Sequence, residues 1–278
     1  MFLYRDAELS FHHSFSLHPL EEFPKSAAPH THTQHELYFF VAGSADYLVE
    51  GRLYPLEPGS VMVMRRGEFH KVSVRSNSPY ERIVLSFEES VLQPKGVAAL
   101  LLAPLVNRPL GTGNLFTARE VRSAYIQECL KGVDRAPQAP EQRRLAVQCA
   151  LYTVLYELQS AFLRRGVKTA QEPGVQLLGS SIVEYINSHL FEELSLEILA
   201  EKFYLSKNHL NRLFKEASGS TVWEYIRLKR LLEAHWRIAG GAAATAAAAD
   251  CGFHDYSAFY RAYKKHFGVA PGSQKGEQ

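Results

Sequence analysis

The chain has 278 residues, 46% of them apolar and 22% charged, with a formal net charge of +2. That length suits two domains with sizeable cores, and so even a charge balance excludes a partner chosen by overall charge alone. Cys129, Cys149 and Cys251 lie too far apart for a zinc knuckle or a CxxC redox pair, and as small core thiols they suit a reducing compartment.

The N-terminus, MFLYRDAELSF, puts Arg5, Asp6 and Glu8 where a secretory signal would need a continuous apolar stretch. No run of 18 apolar residues follows, so a cytoplasmic protein with no membrane partner is expected. Next comes HTHTQHELYFFVAG, His30 to Gly43, with three histidines and a glutamate ahead of a strand-like run. Strands are predicted over Leu37–Val41, Ala45–Glu50, Ser60–Met64, His70–Val74 and Arg82–Phe87, separated by turn formers. The spacing predicts an antiparallel barrel or sandwich. The GTGNLF segment at Gly111 does not join a strand to a helix and reads as a loop.

From Ala118 the apolar period becomes helical, through Val121, Tyr125 and Cys129, then Leu145, Cys149, Tyr152, Leu155, Tyr156 and Phe162. The two helices, Ala118–Leu130 and Glu141–Leu163, are predicted to carry a C2 homodimer, because their apolar residues lie outside the other units. RRGVKTAQEPG, Arg164 to Gly174, has a linker's composition. The expected domains are 1–165, a linker 166–176, and 177–278.

The last hundred residues hold a degenerate repeat. Leu196, Leu199, Ala200 and Leu205 match Ala244, Ala247, Ala248 and Phe253 at an offset of 48. Leu210, Arg212, Phe214, Lys215 and Gly219 match Phe259, Arg261, Tyr263, Lys264 and Gly268 at 49, the extra residue falling in the turn. Each copy predicts a helix, a turn and a second helix. Ser206 and Asp255 cap the second helices, and Gly219 and Gly268 end them. A connecting helix is predicted over Val222–Ala239. With Leu210, Leu213, Phe214 and Ala217 buried, the first copy presents Lys207, Asn208, Asn211, Arg212 and Lys215. With Phe259 and Phe267 buried, the second presents Tyr256, Ser257, Tyr260, Arg261, Lys264 and Lys265. Asn and Arg suit base edges and Lys suits phosphate. Leu205–Gln278 holds 11 Lys and Arg against 6 acids, whereas Leu178–Tyr204 holds 1 Lys against 5 Glu. The basic charge therefore begins at the first recognition helix, as a double-stranded DNA surface requires.

The stretches SLEILAEKFYLSKNHLNRLFKEASGSTVWEYIRLKRLLEAHWRIA and AAAADCGFHDYSAFYRAYKKHFGVAP resemble the AraC family of bacterial transcription regulators. The resemblance implies two helix-turn-helix units on a long joining helix, reading neighbouring major grooves. By position it implies base reading by Asn208, Asn211 and Arg212, then by Ser257, Tyr260 and Arg261. The family's usual isoleucines are replaced by Ala244 and Ala247, so thinner packing is expected in the second unit, and a Tyr-Arg ending after the final proline is absent.

Residues 8 to 90 resemble the cupin-like sensory domain common in this family, through His30, His32, Glu36, Gly43, LEPGSVMVM and His70; Pro24 stands where a glycine usually precedes the motif. The resemblance implies an α+β chain: a cupin-like antiparallel β-barrel with two flanking helices, then an all-α double helix-turn-helix domain. In an extended segment His30, His32 and Glu36 share a face and His35 takes the other. Together with His70 they form a candidate divalent metal site with open positions. The same groups, with Tyr38, also suit direct hydrogen bonds to a small-molecule effector. Two functions stand open: an effector-controlled transcription regulator, with a sugar-like ligand as one candidate effector, and a metal-dependent cupin enzyme using His30, His32, Glu36 and His70. The duplicated helix-turn-helix favours the regulator, which is not an enzyme. Its partners would be promoter or operator DNA, an effector, a second copy, and RNA polymerase if it activates.

Overall fold

The structure is a computed structural model and describes residues 2–22, 30–136, 139–166, 178–218 and 220–273. It divides into two compact units, Met1–Gln176 and Leu177–Gln278.

The first unit opens with β1 (Phe2–Arg5), β2 (Leu9–Ser16) and a single helical turn, α1 (Pro19–Glu22). Then come β3 (His35–Ala42), β4 (Ala45–Val49), β5 (Arg52–Pro55), β6 (Val61–Met64), β7 (His70–Val74) and β8 (Tyr80–Phe87). α2 (Lys95–Val106), β9 (Leu115–Phe116), α3 (Ser123–Val133) and α4 (Pro140–Arg165) complete it. All pairings are antiparallel. The strands form a six-stranded sheet, β1-β2-β8-β3-β6-β9, and a three-stranded sheet, β5-β4-β7, rather than one closed ring. Gly43 turns β3 into β4 at φ +122°, a backbone open to glycine, and a Cβ there would press on Tyr80 and the Pro79 carbonyl at 3.0 and 3.3 Å.

The six-stranded sheet is apolar on both faces. Leu9, Phe11, Leu37, Phe39, Ile83 and Leu85 meet the helices, and Tyr38, Phe40, Met62 and Tyr80 meet the small sheet. Three helices cover the sheet where two were expected. α2, KGVAALLLAPLV, is apolar almost throughout, so no 3.6-residue stripe marks it.

The homodimer expectation needs a correction at its basis. Val147, Leu151, Val154, Leu155 and Leu158 of α4 lie in the chain's own core. A second stripe, Leu145, Cys149, Tyr156 and Leu163, remains exposed. Cys149 is therefore a surface thiol, whereas Cys251 is buried. α4 takes in Arg164 and Arg165 of the expected linker, and Arg165 binds Glu120 at 2.7 Å; residues 167–177 lie outside the described set.

The second unit holds α5 (Leu178–Ser188), α6 (Leu196–Lys202), α7 (Lys207–Ser218), α8 (Val222–Ala239), α9 (Ala244–Asp250) and α10 (Tyr256–Phe267). The repeat is visible as paired helices, α6–α7 and α9–α10, on either side of α8. Ser206 Oγ accepts from His209 N at 3.3 Å and Asp255 from Ser257 N at 2.8 Å, which caps α7 and α10. Gly268 ends α10 at φ +75°; Gly219 lies outside the described residues. Each turn needs one left-handed residue. The first copy uses Tyr204 (φ 55°), 96% exposed, and the second uses Gly252 (φ 77°), where a Cβ would meet the Arg230 guanidinium at 2.9 Å. Arg230 on α8 donates to the carbonyls of Leu190 and Glu192 at 2.8 Å and of Gly252 at 3.1 Å, tying both copies to the joining helix.

α9 offers its core only small groups, from Ala247, Ala248 and Cys251. Aromatic rings fill the volume instead. Phe259 and Tyr263 stand 5.5 Å apart and Tyr263 and Phe267 4.5 Å apart, and His235 of α8 stacks on Phe267 at 4.3 Å. Leu213 and Phe267, expected to be buried, are half-buried.

α5 crosses α7 closely at Gly179, where a Cβ would meet Ala217 Cβ at 2.5 Å and the Leu213 carbonyl at 2.8 Å. Gly179→Ala is expected to destabilise this unit by about 1–3 kcal/mol through overpacking. Trp223 and Trp236 both lie in it, so urea denaturation followed by tryptophan fluorescence measures the loss directly.

Candidate functional site

The histidine pocket begins with a backbone pairing. His30 N donates to the His70 carbonyl at 3.0 Å and His70 N to the His30 carbonyl at 2.9 Å, which fixes the HTH segment against β7. The chain bends at Thr33 and Gln34 and then enters β3. Along β3, Glu36 and Tyr38 face the small sheet. His35 faces away, with Nε2 3.1 Å from Glu89.

Three ligand atoms, one each from His32, Glu36 and His70, lie within 4.8 Å of one another. His32 Nδ1 is 2.7 Å from the Gln34 carbonyl and His70 Nδ1 is 2.9 Å from the Glu68 carbonyl. A carbonyl only accepts, so both Nδ1 atoms carry hydrogen, and each ring, when neutral, turns an Nε2 lone pair inward. Those lone pairs face the Glu36 carboxylate, at 3.1 Å for His32 and 3.7 Å for His70. His70 Nε2 is buried with no hydrogen-bond partner among the described residues. Three acceptors aimed at one point are the donor set of a divalent cation.

Burial alone would raise the Glu36 carboxyl. His70, the His32 charge and hydrogen bond, and the Tyr47 hydroxyl at 3.0 Å outweigh burial and hold it at about 2. Burial lowers His32, but the hydrogen bond and charge of Glu36 override this and raise it. His30 falls to about 4 through burial and the neighbouring His70.

His30 does not belong to the metal group. Its ring stands 4.5 Å from that of His70 and 6.3 Å from that of His32, at the exposed mouth. His30 instead pairs its backbone with His70 at the edge of the pocket, and its ring nitrogens lie outside the group that converges within 4.8 Å. Tyr38 lies one step deeper, with its hydroxyl on that of Tyr80. Sequence reading missed Tyr47, which holds Glu36, and the β2 and β8 residues His12, Ser14 and Arg82. The alternation in LSFHHSFS was the available signal for β2.

In the second unit Lys207, Asn208, Arg212 and Lys215 of α7 are exposed, and Asn211 is half-buried with an unpartnered Oδ1. Ser257, Tyr260, Arg261 and Lys264 of α10 are exposed. Lys207 pairs with Glu197, and Arg212 meets Glu216 at 3.4 Å. Such exposed pairs hold weakly and yield readily to phosphate or a base edge. No helix among the described residues is long and apolar enough to cross a membrane.

Residues 22–155 match the AraC-like ligand binding domain, and residues 199–275 match a helix-turn-helix domain. The chain belongs to the AraC family of transcription regulators. It is similar to the HTH-type transcriptional activator RhaS of Mannheimia succiniciproducens, 26% identical over 257 residues, covering 91% of this chain and 89% of that one. A protein of the same name from Salmonella arizonae is 24% identical over 276 residues, covering 92% and 95%. Among solved structures, ToxT from Vibrio cholerae covers 96% of each chain at 13% identity with a TM-score of 0.38. This family member is thus a DNA-binding transcription regulator with a ligand-binding N-terminal unit.

Proposed function

We propose that a small-molecule effector binds in the pocket of His30, His32, Glu36, Tyr38 and His70, and that a divalent metal held by His32, Glu36 and His70 completes the site. The observation supporting this is the convergence of three acceptors around a buried, unpartnered His70 Nε2. The pocket senses rather than catalyses, since a catalyst has no use for two DNA-reading helix pairs. Residues 1–165 form the sensing domain, 166–176 the linker and 177–278 the DNA-binding domain, which lets one unit respond while the other reads DNA. If the regulator activates, RNA polymerase is its further partner. Thermal-shift screening of residues 1–165 against divalent metals, sugars and sugar acids tests this reading. A ligand at 100 times its Kd stabilises by about 2.7 kcal/mol, and the shift should vanish in His70→Ala.

DNA reading rests on α7 and α10, through Lys207, Asn208, Asn211, Arg212, Lys215, Ser257, Tyr260, Arg261 and Lys264. Arg212→Ala is expected to cost about 1–3 kcal/mol on cognate DNA and to relax one base position. Equal losses on cognate and random duplexes would sink the base-reading role.

The chain acts as a homodimer through the exposed stripe of α4. Leu145, Cys149, Tyr152, Tyr156 and Leu163 recur at the spacing of a helix-pair seam, and Leu145, Tyr156 and Leu163 are 60%, 60% and 63% exposed. Sedimentation should show wild type as a dimer and the Leu145→Asp, Tyr156→Asp double variant as a monomer. A monomeric wild type at high concentration refutes the seam.

A further inference from the structure

β2 and β8 carry a second polar set on the same inner face. Across this antiparallel pair His12 stands opposite Val84 and Ser14 opposite Arg82. Leu9, Phe11, Ile83 and Leu85 of the two strands point to the helices, so His12, Ser14 and Arg82 point to the small-sheet side. They are half-exposed, whereas Leu9, Phe11, Ile83 and Leu85 are buried. This end of the inner face is therefore within reach of solvent.

Arg82 Nε donates to Ser14 Oγ at 3.2 Å. Its guanidinium carbon lies 5.7 Å from the Tyr38 ring centre and 5.9 Å from that of Tyr80. The Tyr38 ring stands 4.8 Å from that of Tyr47, whose hydroxyl donates to Glu36. Arg82, Tyr38, Tyr47 and Glu36 thus make one continuous wall, with a cation at one end and the His32–Glu36–His70 acceptors at the other. The field matches. After burial, the Arg82 charge helps to lower His12. His12 Nε2 is buried and unpartnered beside it.

We infer that the effector is a polyhydroxy carboxylic acid whose carboxylate sits on the Arg82 guanidinium beside Ser14 and whose hydroxyls meet His32, Glu36 and His70. This deepens the reading of the histidine pocket as the effector site and rests on it. The planar guanidinium matches a carboxylate with paired donors. A neutral sugar satisfies the acceptor end and gains nothing from the cation. A plain fatty acid satisfies the cation and sets methylenes against three buried acceptors. A hydroxylated acid satisfies both ends, and its hydroxyls serve equally as donors to the bare acceptors or as ligands to a metal held by them.

The test is calorimetric titration of the full chain with galacturonate, gluconate and glucarate, each against its neutral counterpart, galactose or glucitol. At least one acid should bind, with its neutral counterpart weaker by about tenfold to a hundredfold. Arg82→Met should lose the same factor for the acid, and Arg82→Lys, which keeps the charge without the fork, should lose less. Melting of each variant without ligand controls for folding, and the acid-against-neutral comparison on wild type needs no variant. Equal binding of acid and neutral sugar, undiminished acid binding in a folded Arg82→Met, or no binding by any of the acids overturns the inference. A neutral ligand that binds and is lost in His70→Ala would leave the histidine pocket standing while this inference falls. An acid lost in Arg82→Met but kept in both His32→Ala and His70→Ala would show instead that the pocket reading had failed.

Discussion

Replacing Arg108 with alanine is expected to destabilise the N-terminal unit by about 3–5 kcal/mol, the range for stranding a buried charge. Glu68 is wholly buried. Arg108 clasps it with two donors at 2.7 and 2.8 Å. The Arg65 N–H at 2.9 Å, the Gly111 N–H at 3.0 Å and the Asn114 amide at 3.1 Å complete its shell. The network fastens the Gly111–Asn114 loop to β6 at Val63 and to the β6–β7 turn at Glu68. With Arg108 gone, a carboxylate stays in a dry site with only neutral donors and the more distant Arg65. The double replacement Arg108→Met, Glu68→Leu should lose less than Arg108→Ala, because it leaves no charge behind. Both tryptophans lie in the other unit, so circular dichroism should register the loss while the tryptophan transition stays in place. A loss below about 1 kcal/mol would mean that water or a neighbour takes over the role of Arg108. Burial raises the Glu68 carboxyl, but Arg108 and the donated hydrogen bonds override it and hold it at about 2, below the ordinary 4.5. A depressed acid contributes stability that is present above pH 4.5 and fades as pH falls toward 2. The Arg108→Ala chain should show a shallower acid slope than wild type over that interval.

His70→Ala and His32→Ala are each expected to weaken divalent-metal binding by more than about a hundredfold, since even the partners that orient metal ligands are worth 10–100-fold. Both should abolish the effector response and leave operator affinity without ligand unchanged. His70 is the more informative of the two. Its ring is held by the Glu68 carbonyl, and its Nε2 has nothing else to bind. His30→Ala supplies the contrast. Its nitrogens are outside the ligand group, so its effect on metal affinity should stay under about tenfold. Titration with Mn²⁺ and Zn²⁺, with and without chelator, reads all three. Unchanged metal affinity in His70→Ala, or a chelator-insensitive effector response, would remove the metal from the mechanism. A cation takes the Nε2 lone pairs of His32 and His70, so any proton they carry leaves on binding and metal affinity should fall as pH is lowered.

The second unit could be read from sequence closely. Val222–Ala239 and the two offsets hold because α6, α7, α8 and α10 begin at a capping side chain and bury one face. The first unit was legible only where turn formers punctuate it. β9 is two residues whose strand character comes from pairing with Val61 and Met62, a long-range partner that local pattern does not contain. α2 escaped because burial on several sides erases amphipathic contrast. The ligand set was found through alternation along the chain, but alternation alone did not show that His30 stays at the mouth while His32 joins Glu36 and His70. Glu68 and Arg108 are 40 residues apart, and nothing in either neighbourhood announces the pair. Arg82 read as one more strand residue until β2 was laid beside it.

The alanine helix α9 has a kinetic consequence. Its hold on the second helix-turn-helix is made of methyl groups and one thiol, whereas α10 is pinned by a ladder of rings to α8. Local opening is cheapest where the least apolar surface must be re-exposed. The helix that backs the second recognition helix is therefore the first part of this copy to loosen, while α10 keeps its place on the joining helix. In amide hydrogen exchange, α9 is therefore expected to open before α10, which would leave the second copy with a looser backing than the first.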